Sequence, residues 1–243
     1  MPSQRPKLVN GEIYHISYRA VGDSVIFKDE NDYYRGIFSC YEFNNNNPVS
    51  IWLRRKQRKA EKIKERSIVG SDPATNQAVP KRDMFVEIMA FCFMTNHIHF
   101  ILKQIKEGGI SNFIKKIGGY STYLNEKYDR KGHLFNRFKA VHIKTDKQLR
   151  NAFIYVHCNP LSLIEPGWKE NGIRNLGRAI KFLEEKYKWS SYFDYLGVKN
   201  FPSVTERDFL LDFMGGREGC KQVLKNWIKY KKQFKDFGDM ALE

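Results

Sequence analysis

Apolar residues along this chain recur with two different periods, and the switch between them predicts the order of elements. Residues 12–19, Glu12-Ile13-Tyr14-His15-Ile16-Ser17-Tyr18-Arg19, read as a strand. Residues 30–42 place Tyr33, Tyr34, Ile37, Phe38 and Tyr41 at three- and four-residue spacing, a helix that stops at Asn44-Asn45-Asn46-Asn47-Pro48. Two apolar runs, 84–94 and 97–103, meet through Thr95-Asn96, and so short a link makes an antiparallel hairpin. Gly108-Gly109 ends the second run. A helix is then expected from Ser111 as N-cap to residue 127, with Phe113, Ile114, Ile117, Tyr120 and Leu124 as its apolar stripe. Gly118-Gly119 weakens its middle and leaves room for another backbone to approach. A last strand falls near 137–144. The order strand, helix, strand, strand, helix, strand predicts an α+β fold, a ferredoxin-like split βαββαβ antiparallel sheet with helices on one face. The other face is left for a further element.

Composition narrows the partners. The chain has 243 residues, enough for one large domain or a compact domain with additions. Its 42 Lys and Arg against 27 Asp and Glu give a formal charge of +15, which favours a polyanionic partner, and 14% aromatic residues suit base stacking as well as packing. Cys40, Cys92, Cys158 and Cys220 are scattered with no Cys-x-x-Cys pair, which supports neither a zinc ribbon nor a disulfide framework. The N-terminus lacks the apolar core of a signal peptide, and no apolar run reaches membrane-spanning length, so a cytoplasmic protein with no membrane partner is expected.

Two basic segments stand apart. Residues 49–83 read as an insertion in which 54–66 hold eight basic and two acidic residues, either a solvated helix and loop or a segment lying along a phosphate backbone. Residues 221–235 contain six lysines and no acid, with Val223, Leu224, Trp227, Ile228 and Phe234 on an approximate helical stripe. Such a helix docks on the domain, binds DNA or touches a membrane surface. The expected division is residues 1–165 as the main domain and 166–243 as a helical, basic extension in which no chemistry is legible.

The chemistry sits in Met94-Thr95-Asn96-His97-Ile98-His99-Phe100. In a strand, His97 and His99 share one face while Ile98, Phe100 and Leu102 fill the other. Two imidazoles at that spacing grip one divalent metal ion. Neither has a carboxylate neighbour in sequence. Further on, Thr145 with Gln148 reads as a capping box starting a helix. Its core stripe is Leu149, Ala152, Phe153 and Val156, while Gln148, Asn151, Tyr155 and Asn159 form a separate polar stripe. Asn159 precedes Pro160, which should push it out of helical geometry while its amide still reaches back as a third ligand. A phenol has a pKa of about 10 and is a weak nucleophile unless its target is activated. A divalent ion held by His97, His99 and Asn159 would polarise a phosphate for in-line attack by Tyr155, leaving a 5′-phosphotyrosine and a free 3′-hydroxyl. Attack by a 3′-hydroxyl reverses the step without ATP.

These motifs resemble the single-tyrosine HUH transposases, and within them the REP-associated tyrosine transposases, relatives of the small insertion-sequence enzymes that move single-stranded DNA. The resemblance covers residues 12–165 in order and extends to Trp189-Ser190-Ser191-Tyr192. Besides Tyr14-His15-Ile16-Ser17-Tyr18-Arg19 it rests on Met94-x-Asn96-His97-x-His99, Gly132-His133-Leu134-Phe135-x-x-Arg137-Phe138 and Tyr155-x-x-x-Asn159-Pro160. It implies Tyr155 as nucleophile, His97, His99 and Asn159 as ligands of Mg²⁺ or Mn²⁺, and single-stranded or hairpin DNA as partner. It also implies a monomer or a homodimer, since some relatives exchange the tyrosine helix between copies. Arg19, Arg54, Arg55, Arg137, Lys139 and Lys229 are the expected DNA contacts. Thr95 stands where many relatives have Pro and Tyr18 where many have Asn, the 49–83 insertion is long, and Leu161-Ser162-Leu163-Ile164-Glu165 replaces a small basic continuation. These departures leave DNA specificity open. Two alternatives share the fold. A replication initiator often carries two tyrosines on one helix, whereas Tyr155 is alone on its own, and a domesticated DNA-binding protein keeps the fold and cuts nothing.

Overall fold

The computed structural model describes residues 6–50, 53–54, 56, 59–60 and 82–233. Most of the 49–83 insertion therefore lies outside the described residues. Within the described residues, one sheet of four strands has the order β2-β3-β1-β4. Its strands are β1 (Ile13–Arg19), β2 (Val86–Phe93), β3 (His97–Gln104) and β4 (Lys139–Ile143), and every neighbouring pair is antiparallel. Helix α1 (Glu30–Phe43) joins β1 to β2, and α2 (Gly109–Ile117) and α3 (Tyr120–Lys127) join β3 to β4. This is the split βαββαβ arrangement that the alternation of periods predicts.

One face of the sheet packs on these helices. Phe100 of β3 meets Phe113 of α2 edge-on, with ring centroids 5.8 Å apart. Gly36 lets α1 approach closely, because a Cβ there would stand 2.8 Å from ring atoms of both Phe27 and Phe93. Helix α1 opens on a reciprocal cap in which the Asp29 carboxylate accepts from the Asp32 amide and the Asp32 carboxylate accepts from the Asp29 amide. The helix expected from Ser111 starts earlier, because Gly108 adopts a left-handed φ of 64° and serves as the cap. It also divides at Gly118-Gly119, where a Cβ on Gly118 would stand 3.2 Å from the Tyr18 hydroxyl.

The second face is covered by α4 (Asp146–Cys158), whose cap Thr145 accepts from the Gln148 amide. Gln148 Oε1 accepts from Lys144 rather than from the cap residue, so the box is only half formed. Asn159 stays helical at φ −52° and ψ −38°, contrary to expectation. The chain runs on through a 3-10 turn, Asn159–Leu163, with Pro160 at its start, where a missing N–H costs nothing. Next comes α5 (Trp168–Asn171).

The rest of the chain packs back onto the same core. Ser190 bridges to Cys92, and the Ser191 hydroxyl accepts from the Phe91 amide. The last helix, Gly216–Gln233, buries Cys220, Leu224 and Ile228 and sets Trp227 against Trp168. Docking is thus the state of its apolar stripe; Phe234 lies outside the described residues. All four cysteines are buried and free. Among the described residues no helix is long and apolar enough to cross a membrane.

His157 joins α4 to this returning segment. Its Nδ1 lies 3.0 Å from the Phe153 carbonyl, which can only accept, so Nδ1 carries the proton and Nε2 accepts from Ser191 Oγ at 2.9 Å. Burial pushes the imidazole pKa down to about 3. The folded state therefore binds fewer protons than the unfolded chain below about pH 6.5, the unperturbed histidine value, and this site loses stability as the pH falls from there toward 3. Ser191→Ala strips the partner from a buried imidazole. Urea unfolding at pH 7.5 should show it less stable than wild type by about 1–3 kcal/mol. An unchanged midpoint would mean that this bond does not tie the two segments.

Candidate active site

The site is built on strand parity and register. β1 pairs with β3 so that Ser17 faces His99 and Arg19 faces His97, while His15 faces Ile101. Directly opposed residues share a face, so His15, Ser17, Arg19, His97 and His99 all lie on the side covered by α4. Ile98, Phe100 and Leu102 point to the helical layer, as the sequence pattern requires.

Helix α4 then brings Tyr155 and Asn159 over the two histidines. The Tyr155 ring lies edge-on to His99 with centroids 5.3 Å apart and edge-on to His15 at 5.5 Å. Asn159 Nδ2 is 3.1 Å from His99 Nε2. His97 and His99 are perpendicular, with ring centroids 4.7 Å apart. All four predicted chemical residues therefore meet at one place. They are more enclosed than a polar stripe implies, because Tyr155 and Asn159 are each 3% exposed and His99 is fully buried. The stripe passes from exposed Gln148 through half-buried Asn151 to these two as it dives under the returning chain.

Each histidine of the pair is steadied through Nδ1. His99 Nδ1 lies 3.1 Å from His15 Nε2, and His97 Nδ1 lies 2.6 Å from Asn96 Oδ1. An amide oxygen only accepts, so His97 carries its proton on Nδ1. The Asn159 amide donates to His99 Nε2, so His99 likewise carries its proton on Nδ1 and gives it to His15. Both Nε2 atoms are thereby left as acceptors, that of His99 taking the Asn159 amide proton in this structure, and an outer hydrogen bond of this kind fixes the tautomer of a metal-binding imidazole. Burial, and then the neighbouring His97 and His15, push the His99 pKa well below its ordinary value, which keeps this ring neutral as a ligand must be.

Among the described residues no group of three His, Cys, Asp or Glu side chains is placed to hold a metal ion. The donor set in reach is two imidazoles and the Asn159 amide, whose oxygen comes to bear if the amide turns about its last bond. Such a neutral set suits a divalent ion that takes its remaining ligands from water and phosphate. His157 does not belong to it, since both its nitrogens are engaged elsewhere.

Sequence reasoning missed three contributors. His15 sits on the site face of β1, but only the register reveals its contact with His99. Asn96 lies in the hairpin link. Lys169, on α5 in the segment that showed no legible chemistry, places Nζ 3.0 Å from the Tyr155 hydroxyl.

The expected DNA contacts divide. Half-buried Arg19 lies opposite His97, and exposed Lys139 lies opposite Ser17, in line with His99. Arg137 is exposed just before β4. Arg54 instead lies near Glu42 of α1 at 3.7 Å, on the helical side of the sheet away from the histidines. Lys229 is exposed on the last helix, and Arg55 lies outside the described residues.

The tautomer assignment is directly testable. Long-range ¹H–¹⁵N spectra of the imidazoles at neutral pH should show His99 protonated on Nδ1. His15→Phe should broaden or shift that resonance without disturbing His157. A His99 ring protonated on Nε2 would contradict the geometry.

Comparison with known proteins agrees with the motifs. The family described as "Transposase IS200 like" matches residues 52–159. No curated protein matches the chain. A solved structure described as "Structure of the REP associates tyrosine transposase bound to a REP hairpin" is 15% identical, with a TM-score of 0.45 over 86% of this chain and 93% of that one. The matched stretch carries His97, His99, Tyr155 and Asn159, and over it the chain is similar to the IS200-like transposases.

Proposed function

We propose that this protein is a metal-dependent, single-tyrosine transposase that cuts and rejoins single-stranded or hairpin DNA through a 5′-phosphotyrosine intermediate. The observation that carries this reading is the convergence of Tyr155 and Asn159 on the His97–His99 pair within one chain. His97, His99 and Asn159 would hold Mg²⁺ or Mn²⁺. The chemistry supplied by such an ion is polarisation of the scissile phosphate and neutralisation of charge on the leaving oxygen. His15 and Asn96 keep the imidazoles in the ligating tautomer. The Tyr155 oxygen forms the bond to phosphorus, and the 3′-oxygen departs and takes a proton from water. Arg19, Arg137 and Lys139, gathered toward one end of the sheet, supply salt-sensitive phosphate contacts. Lys229, Arg54 and Arg55 remain candidates for contact with DNA outside this centre. The proposed division into a catalytic unit over 1–165 and a helical extension over 166–243 leaves the extension contributing the segment that covers Tyr155.

Burial of the phenol is the observation on the side of the alternative, a domesticated DNA-binding protein that cuts nothing. For cleavage, the chain over Tyr155 must shift enough to admit a phosphate. The replication-initiator reading has no second tyrosine on α4 to support it.

The two readings part in one experiment. Wild type and Tyr155→Phe are incubated with Mn²⁺ and labelled single-stranded hairpin DNA from the gene's own flanks, then run on a denaturing gel. A covalent protein–DNA band with wild type alone is expected, while the binder reading predicts equal DNA affinity and no band for either protein. Asn159→Ala should weaken Mn²⁺ binding about 10- to 100-fold while retaining most DNA affinity. A normal Mn²⁺ titration would remove Asn159 from the ligand set.

A further inference from the structure

We propose that Lys169 is a catalytic residue, an ammonium that carries the negative charge of the Tyr155 oxygen during attack and departure. This rests on the reading of Tyr155 as nucleophile. Lys169 Nζ lies 3.0 Å from the Tyr155 hydroxyl and 4.8 Å from the centroid of its ring. An ammonium has donors only, so the phenol oxygen accepts and its own proton must point elsewhere. A phenol oxygen is a better acceptor the more negative it becomes, and a charge-assisted bond strengthens as that charge grows. This is an interaction larger in the transition state than in the ground state, which is what accelerates a chemical step.

The placement is built rather than incidental. Lys169 follows Trp168, which is 1% exposed and packs edge-on against Trp227 at 5.3 Å. Gly167, at a left-handed φ of 78°, turns the chain into α5 just before them. The lysine is half-buried and the phenol is buried, so water screens their contact little. His15 on β1 and His99 on β3 also face Tyr155, with Arg19 acting on His99 from the same strand face. His99 has both ring nitrogens engaged, with His15 and with Asn159. Lys169 bonds directly to the oxygen that reacts.

The chemistry balances without any further reagent than water. In cleavage the Tyr155 O–H breaks and its proton passes to water. The oxygen bonds to phosphorus, the P–O3′ bond breaks, and the 3′-oxygen is protonated by water. Rejoining runs in reverse. The 3′-hydroxyl loses its proton to water and attacks phosphorus, and Tyr155 leaves as a phenolate beside Lys169 before regaining a proton. Lys169 keeps its three protons throughout, so one charge serves both directions.

The test is single-turnover cleavage and rejoining at saturating hairpin DNA with Mn²⁺, run on wild type, Tyr155→Phe, Lys169→Met and Lys169→Arg, with DNA affinity measured beside it. Lys169→Met should lose about 10²-fold in both rates with unchanged DNA affinity. Lys169→Arg, which keeps the charge, should recover most of the loss. A circular-dichroism melt checks folding, and Lys169→Gln replaces the Met variant if that one melts early. Weakened DNA affinity with a normal rate at saturation would make Lys169 a phosphate contact and overturn the proposal. Equal rates for Lys169→Met and wild type would overturn it too, while the wild-type covalent adduct would leave the nucleophile reading standing. No adduct with wild type would overturn both.

Discussion

The register of β1 on β3 is the constraint on which everything else at the site rests. It sets Arg19 against His97 and Ser17 against His99, and it puts His15 on the same face. A slip of one residue would turn His15 into the helical layer and Tyr14 toward Tyr155. The slip is prevented by burial on both faces. Tyr14, Ile16, Ile98, Phe100 and Leu102 are buried against helices on one side, while His15, His97 and His99 are buried under α4 on the other. The apolar core thus specifies where three imidazoles stand, although none of its residues touches the chemistry.

Buried imidazoles need partners, and here they largely satisfy one another. The chain from His15 through His99 to Asn159 crosses two strands and one helix in two hydrogen bonds. It fixes a tautomer and couples helix docking to the orientation of the His99 ring, which burial keeps neutral. A disturbance of α4 packing therefore reaches the histidines directly. The His157–Ser191 bond, which fastens α4 to the returning chain, belongs to the same structural logic at greater distance from the site.

Local patterns in the sequence were enough for the sheet, the hairpin and the shared face of His97 and His99, because strand parity is a local property. The shared face of Tyr155 and Asn159 followed from helical spacing in the same way. What stayed hidden was long-range. His15 meets His99 across 84 residues, a contact that only strand register reveals. Lys169 reaches Tyr155 by way of a tight turn and a four-residue helix, which carry no periodic signal. Other errors were ones of context. Asn159 stays helical before Pro160 because the 3-10 turn continues the helix, and Tyr155 is buried because the returning chain covers it. Gly108 took the cap from Ser111 because its left-handed backbone starts the helix a turn earlier.

The central claim is that strand parity and one helix of the same chain assemble a single divalent-metal site beside a tyrosine. Crystals soaked in Mn²⁺ test it most directly, through an anomalous difference map recorded near the manganese edge. The account predicts one strong peak between the His97 and His99 imidazoles and the Asn159 side chain, on the Tyr155 side of the sheet. A peak elsewhere, or none there at a Mn²⁺ concentration that supports cleavage, would contradict it.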